Sequence, residues 1–279
     1  MKLVLTGLAL FLVFRKIDTD QLWQITKTIH WLWLLPAVLT FVLSKVFTAF
    51  RLNLYFKNTQ LYISEKLNLK LYLIGMFYNL FLPGGIGGDG YKVYLLNKHF
   101  QTPVKSLVQA ALLDRLGGLV AIVFLLLAMV LPVDLSLPFV SDVPWELLIV
   151  GAALLVFPVF WLVQKLMFKV FLPSFWKANA WSMAGQLAQL ICAYFILKSL
   201  GVAENFLAYQ LVFLLSSIVA VLPLTIGGVG ARELVFVYAH TYAGIDESIA
   251  VAFSLIFFLI TALVSLAGAM ISINFDQNS

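Results

Sequence analysis

Two glycine clusters carry the residues whose types and spacing best suit the binding of an anion. The stretch LPGGIGGDGYK at 82–92 has a counterpart, LPLTIGGVGAR at 222–232, with six of eleven positions identical at an offset of 140 residues. Glycine lets the backbone approach a ligand closely, and unbonded amides at the start of a following helix favour phosphate or carboxylate. The predicted binding residues in the clusters are Gly84, Gly85, Gly87, Gly88, Asp89, Lys92, Gly227, Gly228, Gly230, Arg232 and Glu233.

The charged residues beside the clusters have two interpretations. Arg232 can hold an anionic headgroup through two parallel hydrogen bonds, and Lys92 can attract it as a point charge. Asp89 and Glu233 can then orient these cations. Alternatively, the charges neutralise one another and only stabilise the fold of each segment. The sequence leaves both interpretations open.

A third candidate is the pair Asp114 and Arg115 in the segment LLDRLGG, within the apolar run 106–131. At a rise of about 1.5 Å per residue, the pair lies about 12 Å into a spanning helix. Successive residues point about 100° apart, so Arg115 is expected to reach another element, either lining a cavity or forming a structural pair. Lys45 lies about one and a half turns from the predicted end of its helix and is expected to snorkel to the cytoplasmic interface.

Nothing in the sequence predicts catalysis, a cofactor or a metal site. Cys192 is the single cysteine, and the three histidines, His30, His99 and His240, lack a paired-ligand spacing. The first glycine cluster ends in Gly-Tyr-Lys rather than in the Gly-Lys-Ser/Thr of a Walker-type phosphate loop. An ATP-driven pump is therefore not predicted, and we expect neither a catalytic residue nor a cofactor.

The composition puts these residues inside a membrane. Of 279 residues, 62% are hydrophobic and 11% are charged, which is far less charge than soluble domains carry. No polar block of domain size interrupts the apolar runs, so residues 1–279 are predicted to form a single all-α, multi-pass membrane domain. Basic residues flank the apolar runs, which indicates contact with anionic lipid headgroups rather than with nucleic acid. Spanning helices are predicted at about 2–16, 31–50, 106–131, 145–164, 180–200 and 247–273.

Two further apolar stretches are interrupted by the clusters. One runs over 67–82 and resumes at 91–100, and the other runs over 206–222 and resumes at 231–243. Bases flank the first on both sides, whereas acidic residues without bases flank the second. The bases assigned to cytoplasmic loops around the first are Arg51, Lys57, Lys66, Lys70, Lys92, Lys98 and Lys105. Each is therefore predicted to enter the membrane and return as a re-entrant hairpin, the first from the cytoplasm and the second from outside. Both termini are then cytoplasmic. The 15–30 loop is the one loop that disagrees with this topology, because it places three bases on the outer side.

The offset of 140 residues also aligns the predicted helices of two halves, about 1–139 and 140–279. Each half contains three spanning helices and one re-entrant, glycine-rich helical hairpin. An odd number of crossings inverts the second half relative to the first. The chain is therefore predicted to consist of two inverted-topology repeats, an architecture typical of transporters that bind their substrate near the midplane.

The segments PGGIGGDGYKVYLL, GGVGARELVFVY and LLDRLGG resemble the membrane region of lysylphosphatidylglycerol synthases and of their stand-alone, flippase-like inner-membrane relatives. The resemblance covers nearly the whole chain and implies a lipid flippase-like fold. The positions that match are the glycine clusters, Lys92, Arg115, Arg232 and Glu233.

The chain departs from that family in two ways. Leu224 and Thr225 replace the first glycine pair in the second cluster, so equivalent binding by the two hairpins is not implied. No soluble synthase domain follows the final segment SINFDQNS, so synthase activity is not implied either.

We therefore expect a non-enzymatic, flippase-like transporter that moves an anionic phospholipid or a polyprenyl-phosphate-linked sugar across the inner membrane. One alternative is a membrane-embedded enzyme or an accessory subunit of lipid or glycan assembly, with Asp89 or Asp114 as a base. Another is a structural protein without transport. Besides membrane lipids, the expected partners are a second copy of the chain in a homodimer or a separate synthase or glycosyltransferase, and no nucleic acid.

Overall fold

The computed structural model of the protein describes residues 29–81, 87–132, 144–221 and 231–273. Within these ranges the secondary structure is helical and contains no strand, which confirms the all-α prediction. The predicted first helix at 2–16, most of the loop after 131 and both glycine-rich tips lie outside them. The α-helices of the described ranges are α1 (Leu34–Asn58), α2 (Glu65–Phe81), α3 (Gly87–Phe100), α4 (Val104–Val130), α5 (Trp145–Met167), α6 (Phe175–Ser199), α7 (Phe206–Val221), α8 (Ala231–Ala243) and α9 (Glu247–Ala267).

Five helical segments in the described ranges are long and apolar enough to cross a membrane. They are Trp31–Asn58, Val104–Val130, Trp145–Met167, Lys169–Ser199 and Glu247–Met270, and they contain α1, α4, α5, α6 and α9. The protein is therefore a multi-pass membrane protein, as predicted. Short 3-10 helices extend three of these segments, at Trp31–Trp33, Lys169–Ser174 and Gly268–Met270.

The other helices are shorter than a bilayer is thick. α2 has 17 residues and α3 has 14, which correspond to about 26 and about 21 Å against a hydrocarbon core of about 30 Å. α7 and α8 have 16 and 13 residues. In each pair the two helices pack against each other. α2 also packs against α9, and α7 packs against α4.

α1 is longer than the sequence predicts. The expected helix ended near residue 50, but α1 continues to Asn58, and the chain turns only at Gln60, whose φ is 61°. The additional turns carry Arg51 and Asn53, which are buried in the protein instead of lying in a cytoplasmic loop. Arg51 therefore does not count among the loop bases. Lys45 lies at the middle of the helix, so the expectation that it snorkels to the interface is wrong.

α1 and α6 cross in opposite directions and pack more extensively than any other described pair of helices. Three hydrogen bonds follow this antiparallel course: His30 N to Ser199 O at 2.9 Å, Arg51 Nη1 to Ser182 Oγ at 3.0 Å, and Asn58 Nδ2 to Phe171 O at 3.4 Å. Gly185 lies in this contact, where an added Cβ would be 3.4 Å from Thr48 Oγ1.

Glycine allows a still closer contact within the α2–α3 pair. A Cβ added to Gly88 would lie 1.9 Å from the carbonyl oxygen of Gly75, a distance that no side chain tolerates. The first residues of α3 therefore rest directly on the backbone of α2. A Cβ on Gly268 would lie 2.2 Å from Leu73 O, so the C-terminal end of α9 rests on α2 in the same way.

An aromatic cluster joins the two halves of the chain in the core. Phe257 of α9 contacts Phe213 of α7 with ring centroids 4.9 Å apart and Phe41 of α1 with centroids 5.6 Å apart. Both contacts are edge-to-face, the arrangement that aromatic quadrupoles favour. This cluster holds α1, α7 and α9 together in the core.

Candidate functional site

A polar cavity of about 210 Å³ lies between helices that are otherwise apolar. Five helices supply its walls: α1, α2, α3, α4 and α6. The lining residues are Lys45, Thr48, Arg51, Tyr72, Met76, Asn79, Asp89, Lys92, Asp114, Arg115, Gly118, Leu119, Ile122, Gln186 and Gln189. Polar side chains in the middle of spanning helices are costly and are usually functional, so this cavity is the candidate site.

Asp89 lies at the centre of an ion-pair triad. Its Oδ1 is 2.7 Å from Lys92 Nζ, one turn further along α3. Its Oδ2 accepts a hydrogen bond of 2.6 Å from Arg115 Nε and lies 2.6 Å from Arg115 Nη2. The carboxylate also lies in the first turn of α3, where the helix dipole favours a negative charge. Asp89 therefore pairs with Lys92, as one of the two sequence interpretations proposed, and connects α3 to α4.

The glycines that follow the first loop have a structural role in the described residues. Gly88 N donates a hydrogen bond of 2.7 Å to Asn79 Oδ1 of α2. The sequence predicts that this amide is available to bind an anion, but the amide already donates its hydrogen bond to Asn79. Since Gly88 also contacts the backbone of Gly75, its lack of a side chain serves close packing. Gly87 begins α3, and Gly84 and Gly85 lie outside the described residues.

A second ion pair lines the cavity and connects α1 to α4. Arg51 Nε of α1 donates to Asp114 Oδ1 of α4 at 2.7 Å, and the two side chains are only 5% and 11% exposed. Arg51 also donates to Ser182 Oγ of α6 at 3.0 Å. Asp114 and Arg115 thus point to different partners, as their helical spacing predicts, and the pair of Asp114 joins α1, α4 and α6.

Sequence reasoning missed Arg51, although a signal for it exists. Ser44, Thr48, Arg51 and Tyr55 follow one another at intervals of four, three and four residues, so they form a polar stripe along one face of α1. Such a stripe in a spanning helix indicates a face turned toward protein or a cavity rather than toward lipid.

Lys45 is the remaining cation of the cavity. Its Nζ lies 4.5 Å from the ring centroid of Phe41, and no carboxylate of the described residues lies within 4.0 Å of it. The amide side chains of Gln186 and Gln189 lie on the facing helix α6. Gln186 Nε2 donates to Gly118 O at 3.5 Å, and Gln189 Nε2 donates to Gln186 Oε1 at 3.4 Å, both long and weak bonds.

Arg232, the basic residue of the second cluster, is not among the cavity-lining residues. Its Nη1 donates to Ser216 Oγ at 3.4 Å and to Ser217 Oγ at 3.2 Å, and its guanidinium carbon lies 4.8 Å from the ring centroid of Phe257. The cavity thus brings together Asp89, Lys92, Asp114 and Arg115 but not Arg232. Gly227, Gly228, Gly230 and the Glu233 side chain lie outside the described part of the chain.

The two basic residues have similar surroundings. Lys92 Nζ lies 5.1 Å from the ring centroid of Tyr72 in α2, and the Arg232 guanidinium carbon lies 5.5 Å from that of Phe213 in α7. Each cation therefore packs on an aromatic ring of the helix that precedes its glycine cluster, an arrangement worth about 0.5 to 2 kcal/mol.

The described residues that line the cavity include more cations than carboxylates. Four of its lining residues are cationic, namely Lys45, Arg51, Lys92 and Arg115, and two are carboxylates, so positive charge exceeds negative charge by two. In the residues that the structure describes, no group of three or more metal-ligating side chains occurs. The Arg115 side chain is 28% exposed, against 7% for Lys92, so Arg115 is the more accessible cation of the triad.

Comparison with known proteins identifies the family. No curated protein and no solved structure matches the chain. The family described as the lysylphosphatidylglycerol synthase TM region matches residues 1–268, nearly the full length. The protein therefore belongs to the family of lysylphosphatidylglycerol synthase transmembrane regions, as its glycine clusters and the segment LLDRLGG suggested.

Proposed function

We propose that this protein is a flippase-like transporter that moves an anionic amphiphile, a phospholipid or a lipid-linked sugar, across the inner membrane. The observation that carries the proposal is the cavity itself, because its lining residues include four cations and two carboxylates between membrane-spanning helices. Charge in that environment is costly unless it is paired, and an anionic headgroup would pair it while the acyl chains stay in lipid. Family membership agrees with a role in lipid handling.

We also infer two inverted-topology repeats, and the helix contacts support them. Under the offset of 140 residues α1 corresponds to α6, and these two helices run antiparallel, as a two-fold axis in the membrane plane requires. Gly185, which lies in their contact, corresponds to Lys45 under the same offset. The offset also relates α2 to α7 and α4 to α9, and α2 packs against α9 while α7 packs against α4.

Re-entrant hairpins follow from the same inference. α2 and α3 are each shorter than the hydrocarbon core is thick, and they pack against each other. The same is true of α7 and α8. In the proposed arrangement the first hairpin enters from the cytoplasm and the second from outside, and both termini are cytoplasmic. Backbone that is irregular at membrane depth must be covered by protein or line a water-filled cavity, and the described helices of the first hairpin line the cavity.

In the proposed mechanism, the two cations of the triad exchange the Asp89 carboxylate for the headgroup phosphate. A headgroup phosphate that enters beside Arg115 competes with Asp89 for Arg115 and Lys92. The loss of the Asp89 bonds loosens α3 from α4 and lets one half rock against the other, so that the cavity opens to the opposite side. Binding energy then offsets the broken pairs, and the pairs re-form when the headgroup leaves.

Transport by purified protein tests this proposal. Proteoliposomes that contain a fluorescent phosphatidylglycerol are treated with a membrane-impermeant quencher, and we expect the protein to raise the rate at which inner-leaflet lipid becomes quenched. Arg115→Ala should lower that rate at least tenfold, because it removes the exposed cation of the triad. Lys105→Ala is the matched control, since Lys105 is an exposed base on the same helix. Absence of transport of any labelled anionic lipid would contradict the proposal, and product formation from a lipid-linked donor would favour an enzyme instead.

A further inference from the structure

Arg51 uses only part of its guanidinium group in the contacts described above. A guanidinium group carries five N–H donors in one plane. Nε donates to Asp114 Oδ1 at 2.7 Å, and Nη1 donates to Ser182 Oγ at 3.0 Å. Among the described residues Nη2 has no hydrogen-bond partner, although the Arg51 side chain is only 5% exposed and lines the cavity. A buried donor without a partner is costly, so this edge of Arg51 is a candidate contact for a ligand.

The unused edge of Arg51 lies next to the position where Gly118 of α4 lacks a side chain. A Cβ added to Gly118 would lie 3.4 Å from Arg51 Nη1, 3.6 Å from Arg51 Nη2 and 3.8 Å from Gln186 Nε2. These three donor nitrogens therefore surround one point. A phosphate or carboxylate group has several acceptor oxygens and forms hydrogen bonds of about 2.7 to 3.2 Å, so one such group beside this point can reach both side chains.

Gln186 of α6 is oriented to take part in this contact. Gln189 Nε2 donates to Gln186 Oε1 at 3.4 Å, which leaves the Gln186 amide nitrogen on the side of Gly118. Gln186 Nε2 donates to Gly118 O at 3.5 Å, at the limit of a hydrogen bond. The amide nitrogen can therefore exchange this weak bond for a stronger one to an anionic oxygen.

Arg115 connects this point to the more accessible part of the cavity. Gly118 follows Arg115 by three residues in α4, so the two are neighbours on the helix surface, and both line the cavity. The Arg115 side chain is 28% exposed, against 5% for Arg51. A headgroup that enters beside Arg115 would thus reach the unused edge of Arg51 about one helical turn, or about 5.4 Å, further along α4.

We propose that Arg51 Nη2 and Gln186 Nε2 form an oxyanion-binding position over Gly118, which holds the phosphate oxygens of the headgroup. Asp114 keeps its bond to Arg51 Nε, so the guanidinium group stays fixed while its other edge binds the ligand. Both nitrogens are donors only, so the position selects acceptor oxygens. This inference rests on the proposed function and refines it by naming headgroup contacts on α1 and α6.

Binding by the full chain in phosphatidylcholine nanodiscs tests the assignment. The probes are dioleoyl phosphatidic acid and dioleoylglycerol, which has the same acyl chains but no phosphate. Inorganic phosphate is the third probe and has no acyl chains. We expect phosphatidic acid to bind at least about tenfold more tightly than dioleoylglycerol, the factor that one hydrogen bond to a charged group supplies.

Three variants assign the binding to the proposed position. Gly118→Ala places a methyl group over Gly118 at ordinary contact distances, so the protein should fold while the ligand oxygen is excluded. Gln186→Met removes the amide donor, and Arg51→Lys keeps a cation beside Asp114 but lacks the planar guanidinium edge. Each should weaken phosphatidic acid binding about tenfold and change dioleoylglycerol binding less than about twofold.

Matched controls carry the same substitutions outside the cavity. Gly151→Ala adds a methyl group to α5 where nothing lies within 4 Å, and Gln210→Met removes an amide of α7 that donates to Leu190 O at 3.2 Å. Neither Gly151 nor Gln210 lines the cavity. Both controls should keep the affinity for phosphatidic acid within about twofold of the original protein. The thermal unfolding midpoint of each variant shows whether it folds, and Gly118→Ala should not lower it.

The possible results separate this inference from the proposed function. Unchanged phosphatidic acid binding in folded Gly118→Ala and Gln186→Met would overturn the oxyanion position and leave lipid transport in place. An equal loss of dioleoylglycerol binding would also overturn it, because the substitutions would then act without regard to phosphate. Binding of inorganic phosphate that both variants weaken, without binding of phosphatidic acid, would support the position but contradict a lipid substrate. If neither phosphatidic acid nor phosphate binds, the inference fails, and the transport assay alone decides the proposed function.

Discussion

Arg115 of α4 approaches one carboxylate oxygen of Asp89 in α3 through two of its nitrogens, Nε and Nη2, each at 2.6 Å. Charge-assisted bonds of this kind are among the strongest that side chains make. The contact joins the helix that follows the first glycine cluster to a membrane-spanning helix. It therefore fixes the geometry of the cavity and, in the proposed mechanism, is the contact that a headgroup must break.

Replacement of Asp89 by Asn should destabilise the protein. Lys92 and Arg115 would lose their shared counter-ion and repel each other, and the loss of one partner from a largely buried ion pair costs about 2 to 4 kcal/mol. The measurement is the free energy of unfolding of purified protein in detergent. Glu65→Gln is the control, because its pair with Lys57 is 41% to 45% exposed and should contribute less than about 1 kcal/mol. Equal stability of the two variants would show that the triad does not fix α3.

The pair of Arg51 and Asp114 should respond differently to single and double substitution. Arg51→Leu leaves a buried carboxylate without its partner and is expected to cost about 3 to 5 kcal/mol. Arg51→Leu combined with Asp114→Leu removes both charges and should recover most of that loss. A double-mutant cycle on the free energy of unfolding measures the coupling. A double variant that is less stable than either single variant would contradict this account of the pair.

Gly88 and Gly90 offer a matched comparison within α3. Gly88→Ala places a methyl group 1.9 Å from the carbonyl oxygen of Gly75, so α2 and α3 must separate and the unfolding midpoint should fall sharply. Gly90→Ala meets nothing within 4 Å and should stabilise the helix by about 0.5 to 1 kcal/mol. Thermal unfolding of the two variants measures both effects. A tolerated Gly88→Ala would mean that the close contact of the two helices is not required.

The inverted-repeat proposal predicts the sides on which two exposed loops lie. Ser64 precedes α2 and Ser248 lies at the start of α9, and both are exposed. Each is replaced by Cys in a Cys192→Ala background, and intact cells are treated with a membrane-impermeant thiol reagent. We expect labelling at 248 from outside and at 64 only after the membrane is opened. Labelling of both from the same side would rule out the inversion.

The local hydropathy pattern was sufficient to predict most of the membrane-spanning helices. The predicted helices at 106–131 and 247–273 differ from α4 and α9 by only a few residues, and α5 begins at the predicted Trp145. These helices are apolar over most of their length and end at polar or loop-forming residues, so hydropathy identifies them without knowledge of their neighbours. The resemblance carried by the glycine clusters likewise identified the family.

Contacts between residues that are distant in the sequence explain the features that the local sequence pattern did not predict. Arg51 was assigned to a loop because it is charged, and only its contact with Asp114, 63 residues later, makes its burial in α1 acceptable. The same error shortened α1 and put Lys45 near a helix end. For Gly88, the sequence suggested an open amide, but Asn79 and Gly75 occupy its surroundings. None of these partners can be paired from sequence spacing alone.

Access to the cavity from both sides of the membrane tests the central claim most directly. Thr48 lines the cavity, and Thr48→Cys in the Cys192→Ala background gives it one thiol. Right-side-out and inside-out vesicles are exposed in turn to a small, impermeant, negatively charged thiol reagent, with Ser248→Cys as the one-sided control. The account predicts that Thr48→Cys reacts in both orientations and that a bound anionic lipid protects it in both. Reaction from one side only, under every lipid condition, would contradict alternating access.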